Sequence, residues 1–97
     1  VHHHPAYAEE IVWDDDNEGH FTQGNRVRPS EADEVLRNGP VYVRNRKQRA
    51  GTHKAIGLTD AGRAVTIVVQ YDEESRQVRP ITGWSATRDE RTRHLKE

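Results

Sequence analysis

The chain has 97 residues and a mass of 11.2 kDa, enough for one small domain over residues 1–97 and too little for two. Hydrophobic residues make up 32% and charged residues another 32%, so the core must be thin and confined to a few segments, which excludes a broad, deeply buried active site. The net charge of −1 hides an acidic front and a basic back: Val1 to Leu36 holds nine acids against Arg26 and Arg28, whereas Arg37 to Glu97 holds 13 basic and seven acidic residues. With no cysteine, disulfide scaffolds and thiolate zinc sites are excluded and any metal would fall to His, Asp and Glu. The longest apolar run, Val65 to Val69, is far short of the ~20 residues of a membrane span, and no signal-peptide core is visible. The expectation is a soluble, cytoplasmic protein.

Residues 1–10 read as a flexible tail, in which His2, His3, His4 and Pro5 are a tag remnant or a natural frayed terminus. Ile11, Val12 and Trp13 then stop at Asp14, a helix N-cap, with Asp15 and Asp16 in the first turn where the helix dipole favours negative charge. Asn17, His20, Phe21 and Gly24 fall on one helical face, which would put His20 beside Phe21, and Gly24 with Asn25 supplies a left-handed stop. A second helix is signalled by Pro29 in its first turn, by Ser30 with Asp33 as an acidic capping box, and by Ala32, Val35 and Leu36 on one face, ending at Asn38, Gly39 and Pro40.

Beyond Pro40 the apolar period changes to two, through Val41 and Val43, Ala55 to Thr59, and Val65 to Tyr71. Asp60 to Gly62 and Asp72 to Ser75 read as hairpin connections, so Thr52 to Trp84 forms an antiparallel meander centred on Val65 to Tyr71. Pro80 requires an edge or a bulge in its strand. Thr87 and Glu90 form a capping box that opens a terminal helix, whose only large apolar residue is Leu95, so the helix is either mobile or docked on something outside this chain. The fold class expected is α+β: two N-terminal helices, an antiparallel sheet of about three to four strands, and a C-terminal helix.

Arg37 to Lys54 contains Arg37, Arg44, Arg46, Lys47, Arg49 and Lys54 and no acid, the pattern of a phosphate-binding footprint or of a solvated loop. Asp14, Asp15, Asp16 and Glu18 invite a divalent-metal reading, but consecutive acids at a helix start diverge, and capping with dipole stabilisation accounts for them. No metal and no cofactor is assigned.

Three segments carry more specific information: Trp13-Asp14 with Asn17 and His20; Val27, Pro29, Glu31-Ala32 and Glu34-Val35-Leu36; and Gly62-Arg63 ahead of the apolar strand, followed by Arg79-Pro80-Ile81-Thr82-Gly83-Trp84-Ser85-Ala86-Thr87-Arg88-Asp89-Glu90-Arg91. In this order, over roughly Ile11 to Leu95, the chain resembles the BrnT family of ribonuclease toxins from bacterial type II toxin-antitoxin systems, and Ala86-Thr87-Arg88 with Glu90-Arg91 is the most specific piece. The resemblance implies a RelE-like fold of order β-α-α-β-β-β-α, metal-independent endoribonuclease activity, RNA as substrate, and a cognate antitoxin that is dimeric and DNA-binding. Three departures bear on catalysis. Gly24-Asn25-Arg26 stands where the family has Lys-His-Gly, Trp84 where its strand ends in Arg, and His94 where its last helix carries Tyr. They keep open an alternative reading, a catalytically inactive RNA- or protein-binding module in a regulatory complex.

Cleavage through the 2′-hydroxyl needs a proton acceptor, a cation for the extra phosphate charge and a proton donor. Arg63, Arg79 and Arg88 are candidates because a guanidinium fork matches phosphate oxygens, and His20 and His94 because imidazole titrates near neutrality. Four of the five have a plainer reading: surface positions for Arg63, Arg88 and His94, and a hydrogen-bonded structural role for His20. His53 reads as a surface residue. RNA contacts are assigned to Arg44, Arg46, Lys47, Arg49, Lys54 and Trp84, the last stacking on a base or, alternatively, filling the core.

Overall fold

The computed structural model describes residues 3–24, 26–47 and 50–96. A short 3-10 turn, Pro5–Tyr7, leads into strand β1 (Glu10–Ile11), helices α1 (Asp15–Gly24) and α2 (Pro29–Arg37), strands β2 (Val41–Arg44), β3 (His53–Leu58), β4 (Ala64–Asp72) and β5 (Gln77–Ser85), and helix α3 (Arg88–Glu90), which widens into a π-helical turn over Arg91–Leu95.

Helix α1 begins where Asp14 and Asn17 cap each other. Asp14 Oδ1 accepts from the N–H groups of Asp16 and Asn17 at 3.0 and 3.2 Å, while Asn17 Oδ1 accepts from the Asp14 N–H at 2.8 Å. These bonds satisfy donors that a helix start leaves without intrahelical partners. In α2, Pro29 occupies the first helical position, so the N-cap is Arg28, and its N–H donates to Glu31 Oε1 at 3.1 Å. The Ser30–Asp33 box is thereby replaced by a contact from Glu31. Ala32, Val35 and Leu36 are buried, as their spacing on one helical face requires.

The sheet order is β1-β5-β4-β3-β2. All neighbours are antiparallel except β1, which runs parallel to β5 with Glu10 opposite Gln77 and Ile11 opposite Val78. Because directly paired residues project to the same side, the register sorts the side chains into two faces. Ala55, Ile67 and Gly83 share the face packed by α1 and α2, where Phe21, Val27, Val35, Val65, Val69 and Val78 complete the core. Each such fully buried side chain contributes roughly 1.5–3 kcal/mol relative to exposure. Ile56, Thr66 and Trp84 project to the opposite face, where the terminal turn packs over β3. Ile56 is only 1% exposed there, and Leu95 lies against the same hollow.

Two glycines are required by close approach. At Gly51 φ is +75°, and a Cβ would lie 2.6 Å from the Val69 carbonyl oxygen. At Gly83 a Cβ would lie 2.8 Å from Ile67 Cδ1 and 3.3 Å from Phe21 Cε1, so α1 sits directly on β5.

The expected antiparallel sheet of three to four strands, and with it the RelE-like order, is corrected to a five-stranded mixed sheet. The additional strand, β1, has only two residues, too few for a period of two to be visible, and its partner is 67 residues distant. Pro80 sits beside the register shift at Val68 and Val69 and two residues beyond the last β1 pairing at Val78, so a bulge accommodates it. The terminal helix is docked within the chain, through Glu90 and Leu95, and needs no outside support. Among the described residues, no helix is long and apolar enough to cross a membrane.

Candidate functional site

An open groove of about 660 Å³ lies on the face of the sheet opposite α1 and α2. It is lined by the cations Arg46 and Lys54, by polar Asn45 and Thr82, and by an apolar floor of Val43, Val68 and Trp84, while Arg44 borders it but pairs with His53, which is opposite Val69, and so projects to the other face. Register explains the assembly: Val43 pairs with Lys54, Lys54 with Val68, and Val68 with Thr82, one row across β2, β3, β4 and β5. The rim is organised by Asn45, whose Nδ2 donates to the Ala50 carbonyl at 2.7 Å and whose Oδ1 accepts from the Arg46 N–H at 3.0 Å. No acidic residue lies among the described lining residues. Two cations, Arg46 and Lys54, beside an apolar floor make a surface complementary to a phosphate chain carrying flat bases.

Three of the six expected RNA-contact residues, Arg46, Lys54 and Trp84, therefore converge, while Arg44 borders the groove with its side chain on the face of His53. Lys47 is exposed in the adjoining turn, and Arg49 lies outside the described residues. Trp84 is half-buried, between the two readings its sequence left open. Its indole Nε1 donates to Glu90 Oε1 at 3.1 Å, and the same oxygen accepts from Thr66 Oγ1 at 2.9 Å and from the Thr87 N–H at 2.8 Å. Burial raises the pKa of Glu90, but these donors outweigh it and hold the carboxyl below its ordinary value.

The five candidates for catalysis do not converge. Arg63 lies on the α2 side, where Nη1 donates to both Glu31 carboxylate oxygens at 3.0 and 2.9 Å and Nη2 to Ser85 Oγ at 2.6 Å. Arg79 is paired with Asp14 at the start of α1, and this hydrogen bond, with the Asn17 N–H, holds the Asp14 pKa down to about 2. His20 is exposed, its ring edge-on to Phe21 at 6.5 Å, although Phe21 itself is only 1% exposed. The expected shared face therefore does not bury His20, because α1 turns it past the contact with β5. Arg88 is exposed at the start of α3, and His94 is half-buried in the terminal turn.

His53 departs from its surface reading: it is 8% exposed, with Nδ1 hydrogen-bonded to Thr52 Oγ1 at 2.8 Å. Burial first, and then Arg44 and His4, lower its pKa. Among the described residues no group of three or more His, Cys, Asp or Glu is placed to hold a metal. No protein-family model and no curated protein matches the chain.

Sequence reasoning missed Glu90 as part of the site. Its capping role was legible in the Thr87-x-x-Glu90 spacing, but the bond to Trp84 requires α3 to fold back over β5, which no local pattern records. Asn45 and Thr82 carried no signal either, since each acquires its place only from the register.

Proposed function

We propose that this chain is an endoribonuclease toxin of the BrnT kind that draws unpaired RNA into the groove between Arg46, Lys54 and Trp84. The observation that carries the reading is the convergence of two cations, Arg46 from the loop and Lys54 from β3, with the Trp84 indole of β5 on one surface with no acid among its described lining residues. In such a groove the phosphodiester runs along the cations while a base lies on Trp84, which suits single strands because duplex RNA hides its base faces. As the 2′-oxygen bonds to the neighbouring phosphorus and the bond from phosphorus to the 5′-oxygen breaks, water takes the 2′-hydroxyl proton and gives one to the departing 5′-oxygen, while the cations oppose the charge that builds on the phosphate oxygens. A cognate antitoxin, dimeric and DNA-binding, would silence the protein by covering these cations with acidic side chains.

A second reading is an RNA-binding module without catalysis, and one observation favours it: no His lies among the described lining residues. Expression of the chain alone in a bacterial host separates the two. The toxin reading expects growth arrest and loss of bulk RNA, both relieved in the Lys54→Ala/Trp84→Ala double variant. Undiminished growth with intact RNA, alongside RNA binding by the purified protein, would establish the non-catalytic module.

A further inference from the structure

Trp84 borders the groove, and its indole Nε1 donates to the terminal helix. The partner is a single oxygen, Glu90 Oε1, which also receives Thr66 Oγ1 from the central strand and the Thr87 N–H from the start of α3. Thr66 is fully buried and directly opposite Trp84 in the β4–β5 register. The carboxylate is therefore fixed to the rigid middle of the sheet at 2.9 Å and to its own helix start at 2.8 Å before it meets the indole. A hydrogen bond to a carboxylate is stronger than one between neutral groups, and the partly buried setting increases the effect.

We infer that Glu90 is a positioning residue for the groove, one that fixes the Trp84 indole in the orientation that accepts a stacked base. The inference rests on the reading of the groove as an RNA site. A Trp on a strand has two rotatable side-chain bonds, and an indole free to turn must be ordered when a base binds. With Nε1 already held by Glu90, that ordering is complete in the free protein. The docked terminal helix thereby becomes part of the binding surface although, among the described residues, none of its side chains lines the groove.

The test uses the full chain labelled with nitrogen-15, an unstructured RNA oligonucleotide, and the variants Glu90→Ala, Glu90→Gln, Thr87→Ala and Trp84→Phe. Trp84→Phe identifies which of the two indole N–H resonances belongs to Trp84. Glu90→Ala should move that resonance and weaken RNA binding about fivefold or more, at the lower end of what loss of one stacked base costs. Glu90→Gln retains an oxygen acceptor and should restore most of the affinity. Thr87→Ala removes the hydroxyl that accepts from the Glu90 N–H at 3.1 Å but leaves the bond to Trp84, so it should leave both readouts close to wild type. An unmoved indole resonance in Glu90→Ala would overturn the inference whatever the RNA does. So would a Thr87→Ala variant that loses as much RNA affinity as Glu90→Ala, since the effect would then belong to helix docking. If wild type binds no RNA while the resonance still moves, the groove reading fails, and the positioning role with it, leaving a structural bond.

Discussion

Asn17 and Pro80 stand 63 residues apart in sequence and are joined by a hydrogen bond of 3.0 Å from Asn17 Nδ2 to the Pro80 carbonyl oxygen. The same Nδ2 donates to the Val12 carbonyl at 2.9 Å, and Asn17 Oδ1 accepts from the Asp14 N–H. One buried amide, 5% exposed, thus ties the start of α1 to the bulged stretch of β5, where a proline has removed a ladder donor. The asparagine of the Trp13-Asp14-x-x-Asn17 segment is explained by this geometry without recourse to chemistry on a substrate.

Asn17→Ala should accordingly destabilise the fold by at least about 2 kcal/mol, because it leaves buried backbone groups without partners. Urea unfolding measures this. A variant that unfolds at the wild-type midpoint would show that water replaces the amide at no cost, and that the tie between α1 and β5 is incidental.

The Arg63–Glu31 pair is partly shielded, with side chains 34% and 13% exposed. Arg63→Ala should lower stability by about 1–3 kcal/mol, between the limits for exposed and buried ion pairs. Since Arg63 faces α2 and does not line the groove, the salt dependence of RNA binding should be unchanged in the folded variant. A reduced salt slope would place Arg63 on the phosphate after all.

Histidine 53 introduces acid sensitivity. Its folded pKa lies below the ordinary 6.5, so the unfolded chain takes up a proton first as pH falls. The stabilisation is complete above about pH 6.5 and is lost progressively as pH falls towards the folded pKa. His53→Asn should flatten the stability profile below about pH 6.5, where the unfolded imidazole begins to take up its proton. An unaltered profile would mean that the ring is solvated in the folded state.

What could be read from the sequence was set by the range of the interactions. The buried face of α2 and the strand from Val65 to Tyr71 follow from spacing within a few residues, and both are where the spacing puts them. The cations of the groove were legible as an acid-free run, because Arg46 and Lys54 lie close together in the chain, whereas the register that turns Arg44 to the other face was not. Strand β1 was not, since two residues have no pattern and the parallel partner is distant. The fate of Arg63 was equally hidden, because Glu31 lies 32 residues upstream on another element. Glu90 was read only as a cap, as its other two partners belong to β4 and β5.

The salt dependence of binding to a short unstructured RNA, followed by the fluorescence anisotropy of a dye on the RNA, tests the groove most directly. Wild type should bind with an affinity that falls steeply as salt rises, with Arg46→Ala and Lys54→Ala each reducing the logarithmic slope by about 0.7, the single-strand value per phosphate contact. Trp84→Ala should weaken binding by about 1–3 kcal/mol while leaving that slope intact. A flat salt response, or equal affinity in wild type and all three variants, would contradict the assignment of this groove to RNA.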